Sequence, residues 1–304
     1  MDNETLRGRI IKSQSGFYAV QTAEEVYVCQ LRGRHKRGPR LGDVVAVGDW
    51  VQITDLGGGN AVIETIEPRQ RMISRMDPRP QGEYQQILIA NPDQAFFVFA
   101  CTHPEPHLGM LDRYLVIAER QDLPAVIIAN KVDLVGLAVA RSIFGHYEPL
   151  GYLVIYSSVK TGEGIQVLRD SLVGKVSLFS GPSGVGKSSL MNAIQPGLSL
   201  SASHVSETTG KGRHTTVVRE LIPVIGGGYV ADTPGLKALA LWDIEPEELD
   251  AYFPEMRRAV EQCAFSDCTH VHEPGCAVLL GVENGEIHPE RYASYLRMRF
   301  GDDA

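Results

Sequence analysis

A glycine-rich stretch in the second half of the chain constrains the fold more than any other feature. The apolar run Val176–Ser180 precedes Gly-Pro-Ser-Gly-Val-Gly-Lys-Ser-Ser, which matches the pattern G-x-x-x-x-G-K-[ST] between a strand and a helix. Glycines let the backbone curl so that its N–H groups converge on phosphate oxygens. The positive end of the following helix points at the same anion. The residues predicted to cradle phosphate are Gly181, Pro182, Ser183, Gly184, Val185, Gly186, Lys187, Ser188 and Ser189.

Two side chains of this loop have specific expected roles. Lys187 supplies a point charge to the β- and γ-phosphates, and Ser188 offers a hydroxyl to Mg²⁺. The alternative is a chance glycine-rich turn. The strand before it and the helix after it make that alternative weak, because the pattern needs this setting.

The segment around this loop alternates between strand-like and helix-like runs. The strands are expected at Ala95–Cys101, Pro124–Ala129, Tyr152–Tyr156, Val176–Ser180, Val217–Pro223 and Gly228–Ala231. The helices are expected at Leu108–Gln121, Ala138–Tyr147 and Gly164–Leu172. Such alternation predicts a parallel sheet with helices on both faces.

The tetrapeptide Asn130-Lys131-Val132-Asp133 directly follows the predicted strand Pro124–Ala129. A carboxylate at Asp133 can accept both N1–H and the exocyclic N2–H₂ of guanine, whereas adenine offers no matching pair of donors. Lys131 can lie over the base, and Asn130 can brace neighbouring loops. Alone, this tetrapeptide could simply cap a helix. At the carboxyl end of a buried strand, and together with the phosphate loop, it predicts a guanine nucleotide. Ser157 and Ser158 follow the next strand and could let backbone N–H groups approach guanine O6.

Two further segments are expected to sense the γ-phosphate. Asp232-Thr-Pro-Gly235 ends a predicted strand, so Asp232 can hold Mg²⁺ through water and the Gly235 N–H can meet the γ-phosphate. The alternative is an ordinary turn, because these residue types favour turns. The polar, basic segment Ser203–Arg219 suits a loop that orders over the nucleotide. Within it, Thr215 or Thr216 would bind Mg²⁺, and the sequence leaves that choice open.

The residue after Gly235 is Leu236, where Ras-like enzymes carry the glutamine that orients the attacking water. Leucine cannot hydrogen-bond water, so another group must do so. His214, next to Thr215, is the best candidate, and the alternative is that His214 only contacts a partner. Slow intrinsic hydrolysis and activation by a partner are expected.

Short strand-like runs and turn residues fill the first 70 residues. The strands are expected at Phe17–Val20, Val26–Leu31, Asp49–Ile53 and Ala61–Ile66. They predict a small closed β-barrel, with an OB-fold preferred to an SH3-like barrel. A basic loop, defined as Arg32, Arg34, Lys36, Arg37 and Arg40, contains no acid, although the whole chain has a formal net charge of −8. Residues 71–95 are expected to be a linker, because prolines and Gly82 interrupt them.

Cysteine usage points to a metal rather than to disulfides. Three of the five cysteines lie close together in the C-terminal region, at Cys263, Cys268 and Cys276. An odd count in a chain with no apolar leader argues for the cytoplasm and against a disulfide framework. Three thiolates and one imidazole form a closed tetrahedral set suited to structural Zn²⁺. His270 and His272 both lie within the cluster, and the spacing differs from the common C-x2-C. Helices are expected on either side, at Glu245–Ala251 and Arg291–Phe300.

The order of these motifs is permuted. In ordinary GTPases the phosphate loop comes first and the guanine-reading loop later, whereas here Asn130–Asp133 and Ser157 precede Gly181–Ser189 and Asp232–Gly235. A fold tolerates this when all the loops meet at one edge of one sheet. With the N-terminal barrel and the tail Cys263-x4-Cys268-x-His270-x5-Cys276, the chain resembles the circularly permuted ribosome small-subunit-dependent GTPase A family, RsgA or YjeQ.

The resemblance implies a multidomain α/β protein. Its parts are an OB-type barrel at 1–70 that binds RNA, a circularly permuted P-loop GTPase domain at 71–240 and a mostly helical zinc-binding domain at 241–304. It implies a GTPase that assists late assembly of the small ribosomal subunit and contacts its ribosomal RNA. It also implies zinc ligation by Cys263, Cys268, His270 and Cys276, with His272 at the surface, and catalysis by His214. The cofactors expected are GTP or GDP, Mg²⁺ and one structural Zn²⁺. We expect a monomer that does not enter membranes.

Two other function classes remain open at this stage. A small-molecule kinase with a phosphate loop would need an acceptor site and would not need Asp133, so competition between adenine and guanine nucleotides separates it from a GTPase. A nucleotide-responsive RNA chaperone with negligible turnover would release no phosphate even with its partner present.

Overall fold

The computed structural model describes residues 5–33, 43–76, 85–195, 219–232 and 244–301. The strands of the described residues are β1 Thr5–Gln14, β2 Phe17–Gln21, β3 Val26–Leu31, β4 Trp50–Gly57, β5 Asn60–Ile66, β6 Met72–Met76, β7 Gln85–Ala90, β8 Gln94–Ala100, β9 Ala125–Asn130, β10 Leu153–Ser157, β11 Val176–Ser180, β12 Arg219–Pro223 and β13 Tyr229–Asp232. The α-helices are α1 Leu108–Arg120, α2 Leu137–Phe144, α3 Ile165–Leu172, α4 Lys187–Ile194, α5 Pro254–Val260, α6 Ala277–Glu283 and α7 Pro289–Phe300.

The chain forms two compact units. The first unit comprises Met1–Ala95, Leu168–Ser180 and Met191–Ala240. The second unit comprises Phe96–Val167, Gly181–Leu190 and Leu241–Ala304. Each unit is therefore assembled from segments that are distant in sequence.

A closed five-stranded barrel occupies the N-terminal part of the first unit. Strand β1 pairs antiparallel with both β2 and β4, β2 pairs with β3, β3 runs parallel to β5, and β5 pairs with β4. The ring closes because β1 is long and shifts register between Ile10 and Lys12, so its first half meets β4 and its second half meets β2. Alternate residues such as Ile10, Val20 and Ile53 are fully buried inside it. The predicted barrel is confirmed, and its longest strand, β1, is one that the turn pattern did not reveal.

The predicted linker at 71–95 is wrong. Strands β6 and β7 pair antiparallel, with Ile73 opposite Ile89, and β8 begins at Gln94. The reason is the apolar run Ile87–Ala90, which is buried. Only Pro92, in the turn between β7 and β8, breaks the described part of this segment.

The remaining strands of the first unit are arranged around β13. Strand β11 runs parallel to β13, β12 runs antiparallel to β13, and β12 also pairs with β1 of the barrel. Asp93 fixes the start of β11, since its carboxylate accepts the Val176 N–H at 2.7 Å.

Parallel strands and helices form the first half of the second unit. The strand order is β10-β9-β8, and β10 runs parallel to β9. Every residue of β8 is buried, which is typical of a strand covered on both faces. Helix α1 buries Leu111, Leu115 and Ala118, spaced as one face of an amphipathic helix. The α/β alternation predicted for this region is confirmed.

The C-terminal part of the second unit is helical. Phe253, Met256, Val278 and Tyr295 form its apolar core together with Cys268 and Cys276 and neighbouring side chains. The helix predicted at Glu245–Ala251 is a 3₁₀ helix at Pro246–Tyr252. In the described part of the chain, none of the helices has the length and apolarity needed to cross a membrane.

Candidate nucleotide site and metal cluster

The phosphate loop has a backbone that only glycine accommodates at its two ends. Gly181 has φ +152° and Gly186 has φ +100°. A Cβ on Gly181 would lie 2.1 Å from the Val98 carbonyl oxygen, and one on Gly186 would lie 2.5 Å from Asn130 Nδ2. Both distances are shorter than any real contact. The loop therefore needs glycine at these positions because strand β8 and the end of strand β9 pack directly against it.

The ammonium group of Lys187 lies inside this curl. Its Nζ donates hydrogen bonds to the carbonyl oxygens of Gly181, at 2.8 Å, and Pro182, at 2.7 Å. Lys187 is the first residue of α4, so the charge stands at the positive end of a helix. Ser188 is half-buried and Ser189 is exposed. A cation at this place, next to curled backbone, is the arrangement that binds phosphate oxygens.

Asn130 joins the guanine-reading loop to the phosphate loop. It ends β9 and is buried; its Nδ2 donates to the Val185 carbonyl at 2.8 Å, and its Oδ1 accepts from Ser157 Oγ at 3.1 Å. Asn130, at the end of β9, therefore bonds to the end of β10 and to the loop after β11.

Lys131 and Asp133 make hydrogen bonds to different parts of the second unit. Lys131 has a left-handed backbone, with φ +65°, and its Nζ donates to the Gly184 carbonyl at 2.7 Å and to the His103 carbonyl. Its aliphatic chain thus spans the space beside the phosphate loop. Asp133 is exposed, and the buried Ser158 donates its Oγ hydrogen to Asp133 Oδ1 at 2.7 Å. Val132 anchors the turn, because it is buried between these two outward side chains.

These contacts place most of the predicted nucleotide residues together in the second unit. Asp133 and Lys187 lie on loops that hydrogen bonds connect directly. Asp232 is the last residue of β13, in the first unit, and only its backbone is described. His214, Thr215, Thr216 and Gly235 lie outside the described residues.

The predicted basic loop is described only at its first residue. Arg32 forms an ion pair with Glu64 of β5, so this guanidinium already has an acidic partner. Arg34, Lys36, Arg37 and Arg40 lie outside the described residues.

The four predicted metal ligands converge in the second unit. The ligand atoms of Cys263, Cys268, His270 and Cys276 all lie within 4.8 Å of one another. The Cys263 and Cys276 sulfurs are 4.0 Å apart, and His270 Nδ1 lies 3.4 Å from the Cys276 sulfur. A tetrahedral zinc site with Zn–S of about 2.3 Å and Zn–N of about 2.05 Å requires separations of about 3.8 Å and 3.6 Å. The cluster therefore fits zinc in donor type and size.

Other residues orient this cluster. The second ring nitrogen of His270 lies 3.1 Å from the Asp250 carboxylate, which leaves Nδ1 for a metal. Glu273 ties the ligand loop together, because its carboxylate accepts the N–H groups of Thr269 and Val271. Burial raises the pKa of the Cys268 thiol, and a cation bound by the cluster would favour its thiolate form. His272 is exposed and is not part of the cluster.

A buried ionic network lies between α1 and the helices near the metal cluster. Arg291 of α7 is fully buried and donates to Asp112 at 2.8 Å and to Glu255 at 2.7 Å and 3.1 Å. Tyr147 donates to the same Asp112 oxygen at 2.8 Å. Burial by itself would lower the pKa of Arg291, but the two carboxylates raise it above its usual value. This network ties a helix of the α/β part to the C-terminal helices.

Several residues that support the candidate sites are not predicted from the sequence. Asp250 lies twenty positions before His270, and its spacing carries no ligand signal. Arg291 looks like an ordinary surface arginine at the start of a helix. Glu273 offers the one available signal, since it is an acid between two predicted ligands.

Comparisons with known proteins identify the family. A family model described as RsgA GTPase matches residues 66–242, and one described as RsgA N-terminal domain matches residues 7–63. The chain belongs to the RsgA GTPase family. The family resemblance that the permuted motifs and the C-terminal cluster indicate is confirmed.

Relatives and solved structures agree with the RsgA assignment. Proteins named small ribosomal subunit biogenesis GTPase RsgA from Gemmatimonas aurantiaca and Moorella thermoacetica are 44% and 43% identical to this chain. The alignments cover 96% of this chain in both cases, and 96% and 95% of those proteins. The crystal structure of YjeQ from Thermotoga maritima matches with a TM-score of 0.80 and 37% identity over 98% of both chains. The crystal structure of YloQ, a circularly permuted GTPase, matches with a TM-score of 0.74 and 34% identity over 99% of this chain and 96% of that one.

Proposed function

We propose that this chain hydrolyses GTP to GDP and phosphate as a conformational switch while it assists late assembly of the small ribosomal subunit. Membership of the RsgA GTPase family makes it a GTP-hydrolysing enzyme, and relatives at 44% and 43% identity are named for biogenesis of the small ribosomal subunit. The observation that carries the proposal is the direct bonding of the Asn130–Asp133 loop to the phosphate loop through Asn130 and Lys131.

Nucleotide recognition follows from these contacts. Asp133, oriented by Ser158, would accept the N1–H and N2–H₂ groups of guanine, and the stem of Lys131 would cover the base. Lys187 Nζ would exchange its two carbonyl partners for β- and γ-phosphate oxygens, which offer full negative charge instead of a carbonyl dipole. Ser157 and Ser158 would border guanine O6. We assign the remaining phosphate contacts to the backbone of Gly181–Ser189.

Two metals belong to this proposal. Ser188, Asp232 and Thr215 or Thr216 would hold Mg²⁺, which neutralises charge on the β- and γ-phosphates when bound. Cys263, Cys268, His270 and Cys276 would hold one Zn²⁺ in a structural role, because all four positions of a tetrahedral ion are filled by protein atoms. Gly235 would meet the γ-phosphate.

His214 is the proposed catalytic residue, because Leu236 cannot orient water. Its imidazole would position the attacking water next to the γ-phosphate, and the small subunit would stimulate this step. Removing it should lower subunit-stimulated turnover by about 10²-fold, the usual contribution of a positioned base. His272→Ala is the matched control, because His272 is exposed and outside the metal cluster.

The decisive experiment measures phosphate release from GTP by the full chain with and without purified small ribosomal subunits. We expect slow release alone and strong stimulation by the subunit, with GTP and not ATP as substrate. Negligible release in both conditions would favour the nucleotide-responsive RNA chaperone. We place the protein in the cytoplasm as a monomer, with the ribosomal RNA of the small subunit as its partner. The N-terminal barrel at 1–70, the GTPase domain at 71–240 and the zinc-binding domain at 241–304 remain our predicted division of the chain.

A further inference from the structure

The second unit contains a cavity of about 630 Å³ that is lined by three histidines. His107 stands just before α1, His146 follows α2 and His288 precedes α7. The His146 and His288 rings are stacked, with their centroids 4.1 Å apart and their planes at 15°. We call this pair the histidine stack. It joins the α/β part of the unit to the C-terminal helices, and nothing in the nucleotide or metal chemistry described above uses it.

His146 is packed as a neutral ring. It is half-buried, and its buried Nε2 has no hydrogen-bond partner among the described residues. The ring donates a hydrogen bond to the Ile143 carbonyl, so an added proton would go to Nε2. A charged N–H group would then be buried without an acceptor, which is unfavourable. Burial, followed by repulsion from His288 and Arg291, lowers the pKa of His146 to about 4.

His288 also acts as an uncharged group. Its Nδ1 accepts the Glu290 N–H at 3.3 Å and so caps the start of α7. A protonated imidazole has no lone pair left to accept this bond, and a positive charge at the N-terminus of a helix is unfavourable. A proton on either ring therefore weakens the packing of the stack, the cap of α7 or both.

The surroundings of the stack offer little compensation for an added charge. Glu255 of α5 attracts His146, but its two oxygens already bind Arg291. Asp112 of α1 accepts from Arg291 and from Tyr147. The remaining charged and titratable groups that line the cavity are exposed, where water screens them, and they are Glu105, His107, Glu290 and Arg297.

We propose that the histidine stack is a pH-sensitive latch, which holds the start of α7 against the end of α2 and releases it when the pH falls. The packed His146 ring takes up a proton near pH 4, whereas a released ring does so near its ordinary pKa of 6.5. The released form therefore binds more protons between these values. The contact is fully stable above about pH 6.5, loses stability as the pH falls towards 4, and loses no more below that.

Release of this contact has a structural consequence beyond the two rings. Arg291 is the third residue of α7 and binds Asp112 and Glu255. Loosening the first turn of α7 therefore loosens the network that ties α1 to the C-terminal helices. The inference depends neither on GTP hydrolysis nor on the identity of the metal.

The test measures hydrogen exchange of the zinc-loaded full chain with saturating GDP, at pH 7.5 and at pH 5.5. Protection factors, which are corrected for the intrinsic pH dependence of exchange, should fall about fivefold across residues 287–294, because only the released form gains a proton in this range. Strand β9 of the same unit is the internal reference and should keep its protection.

Three variants assign the effect to the stack. His146→Phe keeps an aromatic ring and removes the titrating nitrogen, so the fall should shrink to less than about twofold. His288→Asn removes the second ring but keeps a preferred N-cap for α7, and it should shrink the fall as well. His107→Asn is the matched control: His107 lines the same cavity outside the stack, and its variant should show the full fall.

Three results would overturn the proposal. Equal protection of residues 287–294 at both pH values in the unchanged protein would do so without any variant. A fall in His146→Phe as large as in the unchanged protein would assign the pH dependence to another group, the metal ligands included. A fall of the same size in β9 would show general unfolding of the unit instead of release of α7.

Discussion

The nucleotide loops (Asn130–Asp133, Ser157–Ser158 and Gly181–Ser189) and the Cys–His cluster (Cys263, Cys268, His270 and Cys276) are both candidate ligand sites of the second unit. They differ in how their polar groups are satisfied. In the nucleotide loops each charged side chain has an internal partner: Lys187 bonds to two carbonyls, Lys131 to Gly184, and Asp133 to Ser158. In the cluster, the sulfur of Cys276 and the imidazole of His270 face each other and the other thiols, beside an apolar core. We therefore expect nucleotide to bind and leave without loss of fold, and we expect a metal bound by the cluster to be part of the fold.

The strongest test of this difference is removal of the metal. Cys276→Ser should lose zinc and unfold the helices α5–α7, because structural zinc supplies on the order of 10 kcal/mol in small metal-stabilised units. Metal analysis and hydrogen exchange across 254–300 measure both effects. GDP binding should persist, since the Asn130–Val185 and Lys131–Gly184 hydrogen bonds do not involve the cluster.

The control for this change is Cys101→Ala. Cys101 is buried in the same unit, and burial raises the pKa of its thiol to about 11, but it is not part of the cluster. It should keep one zinc per chain. Retention of stoichiometric zinc by Cys276→Ser would show that the assigned ligand set is wrong.

The second test changes the nucleotide loops and leaves the fold intact. Asp133→Asn should lower GTP affinity by about 10²-fold to 10⁴-fold, because the amide presents a donor to the guanine N2–H₂ group. The same amide can accept from N1–H of xanthine and donate to its 2-oxo group, so affinity for xanthosine triphosphate should rise. Isothermal titration with both nucleotides measures the exchange.

Glu163→Gln is the matched control for Asp133→Asn. Glu163 is exposed in the loop after Ser158, and the same change of charge there should leave both affinities unaltered. Unchanged preference for GTP in Asp133→Asn would separate Asp133 from guanine recognition.

The contrast between the two sites also explains what the sequence could predict. The phosphate loop and the Asn130–Asp133 loop are local motifs at the ends of buried strands, so pattern and sheet geometry together predicted that they would meet. The cysteine cluster is also local: its segment predicts three thiolates and one imidazole, and the family resemblance selects His270 rather than His272 as the imidazole. Asp250 and Arg291 were not predicted, because their roles depend on partners at His270 and at Asp112 and Glu255 that only the fold brings near.

The linker prediction for residues 71–95 failed for a related reason. Strands β6 and β7 lie on either side of a segment that contains prolines and a glycine, and those residue types favour a linker. Tertiary pairing of Ile73 with Ile89 and burial of both decided the outcome instead. Local turn signals predict where a chain bends and carry little information on whether the flanking residues pair.

The third test concerns the buried network of Arg291, Asp112 and Glu255, which connects α1 to the helices beside the metal cluster. It measures whether a change in this network alters nucleotide binding. Arg291→Met leaves Asp112 and Glu255 buried without their cation, and the free energy of unfolding should fall by about 3–5 kcal/mol. GDP affinity should change less than about twofold, which is below 0.5 kcal/mol, if the network only holds the helices together. A larger fall in GDP affinity would show that Arg291 couples α1 to nucleotide binding.

The triple change Arg291→Met, Asp112→Asn, Glu255→Gln is the control for the third test. It removes the charges together and should recover much of the lost stability, because no uncompensated charge remains buried. Denaturant unfolding measures all the variants on one scale.

The smallest expected effect concerns the internal partner of Asp133. Ser158→Ala removes the 2.7 Å hydrogen bond to Asp133 Oδ1 and a weaker bond from the Thr161 N–H. Because a single hydrogen bond contributes about 1 kcal/mol, GDP affinity should fall about fivefold with little change in the temperature of unfolding. Ser142→Ala is the matched control, since Ser142 Oγ donates only to the Val139 carbonyl of its own helix. If Ser158→Ala lowered stability as much as affinity, the Ser158 hydrogen bonds would hold the fold rather than orient the carboxylate, and the nucleotide loops would resemble the metal cluster more closely than their contacts indicate.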